Sequence, residues 1–451
     1  MAPQLQAEYA ERRKRFLGEL TDGIAIVPCA PSFIRNNDVE HEYRQDSDFY
    51  YLTGFDEPES VLVLKPGHAD GEYILFVRER DPEREVWDGR RAGVDGAVTK
   101  FGAEAAYPIA EFDKRLPELL SDVRRLHYRL GQDPDFDRRV VAGVQNVRRR
   151  VRTGVVAPSE IVDSAVSLHG MRLRKSSQEL SAIERAGAIT RSAHLRAMQM
   201  ARPGRHEFEV EAEILRVFRQ SGAERPAYGS IVGSGPNATI LHHRRNDRLM
   251  QEGDLVLIDA GVELDYYASD VTRTFPVSGR FSAPQRELYE LVLQAQLEAI
   301  DAVKPGATMV DVHDAAVAVL TDGMVKLGLI EGPCEKAIEE GRYKPYYMHK
   351  TSHWLGMDVH DVGNYFVDKR PRPLEPGMVL TVEPGIYLAE DAEVPEAYRG
   401  IGIRIEDDIA VTADGHRNLT PNIPKSPDEL EALLGARTPE GQPPPREPAP
   451  A

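Results

Sequence analysis

The chain lacks the features that mark several classes of protein. Its 451 residues include only two cysteines, Cys29 and Cys334. Two cysteines so far apart make no disulfide framework, and they indicate free thiols in a reducing compartment. There is no run of about eighteen apolar residues, so no membrane-spanning helix is expected. The polar, charged N-terminus lacks the apolar stretch of a signal peptide, so we expect a cytoplasmic protein.

Positive charge is also scarce. The chain has 56 Lys and Arg against 73 Asp and Glu, which gives a net charge of −17. A surface of this sign repels phosphate, so nucleic acid and anionic membranes are not expected as partners. The length exceeds that of one ordinary core, and 41% hydrophobic with 29% charged residues is normal for a globular protein of two domains.

Domain boundaries follow from local signals. Alternating strand and helix patterns up to about residue 173 predict an α/β sheet covered by helices. Ser176 and Glu179 form a capping box that starts a long helix, so we place the boundary just before it. The predicted domains are 1–173 and 174–436, and the fold class is α/β (α+β). The proline-rich residues 437–451 cannot build a core and are predicted to be disordered.

Two similar strand-and-turn units carry acids in the second domain. They read GDLVLIDAG (residues 253–261) and GMVLTVEPG (residues 377–385), and each apolar run ends in an acid, Asp259 or Glu383. A second acid follows each unit, Asp270 or Glu406. Together with similar helix patterns after Pro203 and Pro305, this duplication predicts two halves related by a pseudo-two-fold axis, with a site between them.

Four converging carboxylates would repel one another and raise each other's pKa unless cations neutralise them. With His353 they make five ligands, too many for one catalytic zinc, so we predict two divalent ions that share bridging carboxylates. The oxygen-rich set favours manganese, with cobalt, iron and zinc as alternatives. Such a pair of ions can activate water and polarise a carbonyl, which predicts hydrolysis.

Other polar residues cluster in the same region. His242, His349 and His360 are candidates for the site, and Asp361 could orient one of the histidines. Arg404 precedes Glu406 by two residues, so on a strand it faces the same side and offsets negative charge. His243, Arg244 and Arg245 are interpreted as surface residues.

These motifs resemble the pita-bread metallopeptidases. The resemblance rests on SDVTRTFP (269–276), SHWLG (352–356), TVEPGIY (381–387) and GIRIEDD (402–408). Trp354, EVPEAYRGIG (393–402) and the N-terminal YRQDSDFYYLTGF (43–55) are similar to aminopeptidase P in particular. The resemblance covers the chain except its tail, and it implies a creatinase-like N-terminal α/β domain before a pita-bread catalytic domain.

The resemblance also implies an activity: release of the first residue from peptides with proline in second position, by a metal-bridging hydroxide. It implies that Asp270 and Glu406 bridge the ions, that Asp259 holds one, and that His353 and Glu383 hold the other. Other roles are implied for further residues. Glu383 would shuttle a proton and His360 would polarise the substrate. His242 and His349 would shape the proline site, Tyr387 and Arg404 would support the ligands, and Trp87 would reach a neighbouring subunit of a homodimer or homotetramer.

Alternatives remain open at this stage. A prolidase, which cleaves only Xaa-Pro dipeptides, shares the five ligands, and a non-catalytic binding module could keep the fold without the chemistry. A creatinase-type hydrolase uses no metal and would leave the five-ligand set unexplained. Lys350 departs from the family pattern, which usually has glycine there, so it could alter substrate preference.

Overall fold

The computed structural model describes residues 3–437, so the predicted disordered tail lies almost entirely outside the described residues. Internal contacts divide the chain into two compact units, Met1–Met171 and Arg172–Ala451. The predicted boundary near residue 174 stays a prediction. None of the described helices is long and apolar enough to cross a membrane.

The first unit is built on one mixed sheet. Its strands are β1 (Gly23–Pro28), β2 (Ile34–Asn36), β3 (Val39–Glu40), β4 (Val61–Leu64), β5 (Tyr73–Val77), β6 (Ala105–Pro108), β7 (Arg125–His127) and β8 (Glu160–Val162). Six of them follow the order β6-β5-β4-β1-β7-β8, with β4 antiparallel to both of its neighbours, while β2 and β3 form a separate hairpin. The other three pairings are parallel.

Helices of the first unit cover this sheet. They are α1 (Pro3–Glu19), α2 (Ser47–Thr53), α3 (Pro82–Asp88), α4 (Gly93–Thr99), α5 (Phe112–Leu119), α6 (Pro134–Arg149) and α7 (Ala165–Leu173), the last of which runs across the division. The continuous apolar runs of β4 and β5 are buried, as expected for central strands. Phe112 and Leu116 of α5 and Phe136 of α6 pack into the same core.

The second unit begins with a helix pair. Its helices are α8 (Ser177–Met200), α9 (Glu207–Gln220), α10 (Ala283–Asp301), α11 (Met309–Lys326), α12 (Cys334–Glu339) and α13 (Pro427–Gly435). The capping box predicted at Ser176 and Glu179 is present, with both reciprocal hydrogen bonds. The pair α8 and α9 is followed by strands, and so is the pair α10 and α11, which matches the predicted duplication.

Short antiparallel sheets complete the second unit. Its strands are β9 (Arg225–Pro226), β10 (Ile231–Ser234), β11 (Leu255–Asp259), β12 (Val262–Leu264), β13 (Tyr267–Ala268), β14 (Thr272–Pro276), β15 (Phe366–Val367), β16 (Arg370–Pro371), β17 (Val379–Val382), β18 (Gly385–Leu388), β19 (Ile401–Arg404), β20 (Asp407–Val411) and β21 (His416–Asn418). Sheet β10-β11-β14 lies in the first half and β17-β20-β21 in the second. The mixed α/β class is thus confirmed.

Candidate metal centre

The two acid-bearing strands explain why the acids come together. β11 runs between β10 and β14 and ends at Asp259, which pairs with Ile231 on one side and Thr272 on the other. β17 ends at Val382, so Glu383 follows the strand directly. Both strands are apolar and buried up to the acid, so the backbone delivers each carboxylate into the interior.

The glycine two residues after each acid is required by close packing. A Cβ on Gly261 would lie 1.7 Å from the carbonyl oxygen of Ser269, and one on Gly385 would lie 2.7 Å from that of Ile403. Neither position has room for a side chain. The shared acid-x-Gly pattern therefore reflects two turns in which the chain folds back tightly behind an acid.

Hydrogen bonds across the two halves place the second pair of acids. The Glu406 amide donates to the Thr272 carbonyl (3.1 Å), and the Asp270 amide donates to the Asp408 carboxylate (3.0 Å). The Thr272 hydroxyl also donates to Glu406 Oε2 (2.6 Å). The start of β14 is thus tied to the start of β20, which brings Asp270 and Glu406 together.

His353 reaches the same place from a segment that pairs with β17. The amide of Thr381 donates to the His353 carbonyl (3.0 Å), and the amide of Glu383 donates to that of Thr351 (2.9 Å). The imidazole Nε2 then lies 3.4 Å from Asp270 Oδ2 and 3.5 Å from Glu383 Oε1. His353 therefore faces one acid from each half.

The five predicted ligands line one cavity of about 400 Å³. Ligand atoms of Asp270, His353 and Glu406 lie within 4.8 Å of one another, a spacing that suits one metal ion. Asp259 and Glu383 line the same cavity. The four acids thus line one cavity, and their role as metal ligands stays a prediction.

Burial makes these acids hard to ionise without a cation. Burial raises the pKa of Glu383 to about 7, against the opposing charges of His353 and Arg404. Burial, reinforced by Asp270, also raises the pKa of Glu406 well above its usual range. Burial lowers the pKa of His353, but Asp270 and Glu383 outweigh it and raise that pKa to about 9. The cavity thus demands positive charge, and this donor set fits divalent ions.

Arg404 supplies part of that charge. Its guanidinium is 3% exposed and donates to Asp259 Oδ2 (2.6 Å), to the Thr272 hydroxyl (3.1 Å) and to the Tyr387 hydroxyl (3.0 Å). Burial raises the pKa of Asp259, although Arg404 opposes that rise. Arg404 is therefore bonded to the acid cluster, and one guanidinium leaves four carboxylates undercompensated.

The histidines predicted for the site occupy different positions in it. His242, His349 and His360 line the cavity. His349 Nε2 lies 2.8 Å from the Tyr387 hydroxyl, and burial with the nearby Arg404 lowers the pKa of His349 to about 3. The rings of His353 and His360 meet edge-on at 4.4 Å. The Tyr387 hydroxyl contacts both His349 and Arg404.

Two expectations about neighbouring residues were wrong. The Asp361 carboxylate does not orient a histidine within the described residues; it accepts instead from Arg172 (2.6 Å) and Lys175 (2.9 Å). His243 is 8% exposed, and its Nε2 lies 3.0 Å from Glu207 Oε2. Arg244 lines the cavity, whereas Arg245 forms an ion pair with Asp247 and is not among the lining residues.

Two residues that support the site were not predicted from the sequence. The Tyr228 hydroxyl lies within hydrogen-bond distance of both Asp259 and Asp270, and it lines the cavity. Glu207 is fully buried and accepts hydrogen bonds from Ser234 and Asn237. It also accepts from the Arg248 amide, so it fastens both ends of the segment that carries His242. Their partners lie tens of residues away, so no local pattern marks either residue.

Trp87, the remaining predicted site residue, belongs to the first unit. It lies on α3 and is 85% exposed, as is its neighbour Val86 at 81%. An exposed tryptophan of this kind is available to a partner, and the role implied for it stays a prediction.

A buried cluster of four carboxylates and one imidazole at the junction of two duplicated halves defines a metal-dependent hydrolase site. The comparisons agree. Residues 181–413 match the model of metallopeptidase family M24, and residues 9–127 match that of the aminopeptidase P N-terminal domain. The chain belongs to metallopeptidase family M24, with an aminopeptidase P type domain ahead of the catalytic domain.

Individual relatives cover nearly the whole chain. The Xaa-Pro aminopeptidase of Escherichia coli strain K12 is 46% identical over 95% of this chain and 98% of its own. The solved structure of Pseudomonas aeruginosa aminopeptidase PepP superposes with a TM-score of 0.95 at 52% identity, covering 96% of this chain and 98% of that one. Proline aminopeptidase P II from Yersinia pestis gives a TM-score of 0.92 at 46% identity, covering 95% and 99%. The predicted fold, with its aminopeptidase P type N-terminal domain and its metallopeptidase catalytic domain, is confirmed.

Proposed function

We propose that this metallopeptidase is an Xaa-Pro aminopeptidase, which releases the N-terminal residue from peptides with proline in second position. The observation that carries the proposal is the convergence of Asp259, Asp270, His353, Glu383 and Glu406 on one cavity. Relatives of nearly full length support it, since they are named Xaa-Pro aminopeptidases. One of them, from Escherichia coli, is described in complex with substrate.

The proposal includes two divalent ions, with Mn²⁺ as the first choice and Co²⁺, Fe²⁺ or Zn²⁺ as alternatives. Asp270 and Glu406 would bridge them, Asp259 would hold one, and His353 with Glu383 would hold the other. When bound, such ions polarise a carbonyl and make water a stronger nucleophile. A zinc-substituted Escherichia coli aminopeptidase P has been described in complex with product. This supports the view that such sites can bind different metals.

The protein's own groups would then handle protons and substrate. Hydrolysis adds the hydroxyl of a water to the carbonyl carbon of the first residue and a proton to the proline nitrogen. Glu383 is our candidate to carry that proton, because its carboxyl lines the cavity beside His353. His360 and His242, on the exposed side of the cavity, would bind the substrate carbonyl and stabilise its developing charge.

Arg404 and Tyr387 would act as positioning residues. Arg404 fixes Asp259 and Tyr387, and Tyr387 in turn contacts His349, which would border the proline ring. Trp87 would complete the site of a neighbouring subunit in a homodimer or homotetramer. We also propose that the protein works in the cytoplasm.

Metal reconstitution with a panel of substrates tests the proposal. Metal-free protein should be inactive, and added Mn²⁺ should restore cleavage of an Xaa-Pro tripeptide. The matched tripeptide with alanine in second position should be cleaved at least about 100-fold more slowly, because the proline pocket is then unfilled. Cleavage of the Xaa-Pro dipeptide alone would instead indicate a prolidase, and no metal-dependent cleavage at all would indicate a binding module.

A further inference from the structure

We propose that Arg244 and Lys350 select peptides that carry a carboxylate on the C-terminal side of the scissile bond. This inference rests on the proposed function, which supplies the scissile Xaa-Pro bond. It adds a chemical class of substrate: short peptides with a free C-terminus, or peptides with an acidic side chain beyond the proline.

The charges that line the cavity divide into two groups. All the acids among the lining residues are proposed metal ligands: Asp259, Asp270, Glu383 and Glu406. Their charge is directed to the cations that the cluster requires, so they do not oppose a negative group elsewhere in the cavity. The cations in the lining are Arg404, Arg244 and Lys350.

Only some of these cations are committed to other residues. Arg404 is buried and bonded to Asp259, Thr272 and Tyr387. Arg244 and Lys350 are exposed, and neither side chain has an ion pair or hydrogen bond within the part of the chain that is described. Arg245, next to Arg244, forms an ion pair with Asp247 and does not line the cavity.

The position of the two free cations identifies the end of the substrate that meets them. The acids lie on the buried floor, with Asp270 5% and Glu406 2% exposed, so the scissile bond must reach that floor. The substrate's N-terminal residue ends in a positive amine, which two cations would repel. We therefore place the chain beyond proline on the exposed side of the cavity, where Arg244 and Lys350 lie and would meet its C-terminal part.

The two side chains come from separate segments. Arg244 follows the 3₁₀ turn Gly235–Thr239, and Lys350 follows α12 and precedes His353. Two exposed positive charges at the cavity of a chain of net charge −17 favour the approach of an acidic peptide.

Paired peptides separate the two sources of a carboxylate. The first pair is Xaa-Pro-Gly with a free C-terminus against its C-terminal amide, and the second is amidated Xaa-Pro-Glu against amidated Xaa-Pro-Gln. In the Mn²⁺-loaded enzyme we expect kcat/KM to favour the carboxylate form by roughly tenfold in at least one pair, as two partly exposed charge contacts would give. The pair that shows this preference identifies whether the enzyme recognises the C-terminal carboxylate or the glutamate side chain. Added salt should reduce the preference, because it screens exposed charges.

Substitutions test whether these two cations cause the preference. In the double variant Lys350→Gln with Arg244→Gln, the ratio of kcat/KM for the carboxylate peptide to that for its neutral partner should fall to near one. In Lys350→Glu, kcat/KM should be higher for the neutral peptide. Arg245→Gln is the matched control, since it removes the same charge one residue away, and it should keep the wild-type ratio. An unchanged ratio in the double variant, or equal rates for both members of both pairs in the wild type, would overturn the inference alone. No cleavage of any Xaa-Pro peptide would overturn the proposed function, and this inference with it.

Discussion

Three of the four acids of the cavity accept hydrogen bonds from distant parts of the chain. Asp259 accepts from Arg404, and Glu406 accepts from Thr272. Tyr228 offers a single hydroxyl proton between Asp259 and Asp270. These donors fix the oxygen atoms in place without supplying enough positive charge, since Arg404 is the only buried arginine or lysine among the described lining residues. Geometry is thus provided by the protein, and charge balance is left to bound cations.

Removing one proposed ligand should abolish turnover without unfolding the protein. We expect Glu383→Ala and His353→Ala each to reduce kcat/KM by about 10³-fold or more in the presence of excess Mn²⁺, because groups that act as a unit fail together. Circular dichroism should show an unchanged fold, since neither side chain belongs to the hydrophobic core.

Glu390→Ala provides the control for these variants. Glu390 is an exposed glutamate seven positions after Glu383 and outside the cavity lining, so its removal should leave activity near the wild-type value. Near-normal turnover by either ligand variant would show that the proposed ligand set is wrong.

At the scale of elements, the segment between His353 and Asp361 is fixed at both ends. Its start pairs with β17 through backbone hydrogen bonds. Its end is held by the Asp361 carboxylate, which is 1% exposed and pairs with Arg172 and Lys175. A buried charge pair of this kind becomes costly when one partner is removed, because the other charges stay buried.

Asp361→Asn should therefore lower the free energy of unfolding by about 3 kcal/mol near neutral pH. Burial alone would raise the pKa of Asp361, but Lys175 and Arg172 outweigh it and lower that pKa. A lowered folded-state pKa stabilises the protein fully above the unfolded value of about 3.9, and the benefit is lost as pH falls through the folded pKa. The difference in free energy of unfolding between the wild type and Asp361→Asn should thus be constant from about pH 5 to 7. It should become smaller as the pH falls below about 4.

Urea unfolding at a series of pH values measures this advantage. Asp265→Asn is the matched control, because Asp265 forms an exposed ion pair with Arg185 and should cost at most about 1 kcal/mol. Two outcomes would show that the Asp361 cluster does not hold this segment. One is an equal loss of unfolding free energy in the two variants, and the other is a wild-type advantage over Asp361→Asn that increases toward acid pH.

The sequence was sufficient for elements whose signals are local. The start of α8 follows from the capping box at Ser176 and Glu179, and the observed helix begins at Ser177. The acids of β11 and β17 stood out because an apolar strand that ends in a carboxylate is unusual. Tyr228 and Glu207 could not be found in this way, because their partners are distant in sequence and meet them only in the folded chain. His243 was misjudged for the same reason, since its buried partner Glu207 lies 36 residues away in the sequence.

At the scale of the whole molecule, duplication explains the site. Each half of the second unit contributes an acid at or just after the end of one strand and a second acid just before the strand paired with it. The halves join where Asp270 bonds to Asp408 and Glu406 to Thr272, so neither half holds the complete cluster. The negative charge gathered at this junction has a physical purpose only if cations are bound there.

Anomalous X-ray scattering from crystals loaded with Mn²⁺ tests that claim most directly. Data collected on either side of the manganese absorption edge locate the metal without reference to activity. We expect two strong peaks about 3.5–4 Å apart among the carboxylates of Asp259, Asp270, Glu383 and Glu406 and the imidazole of His353. A map with no peak among these side chains would contradict the account.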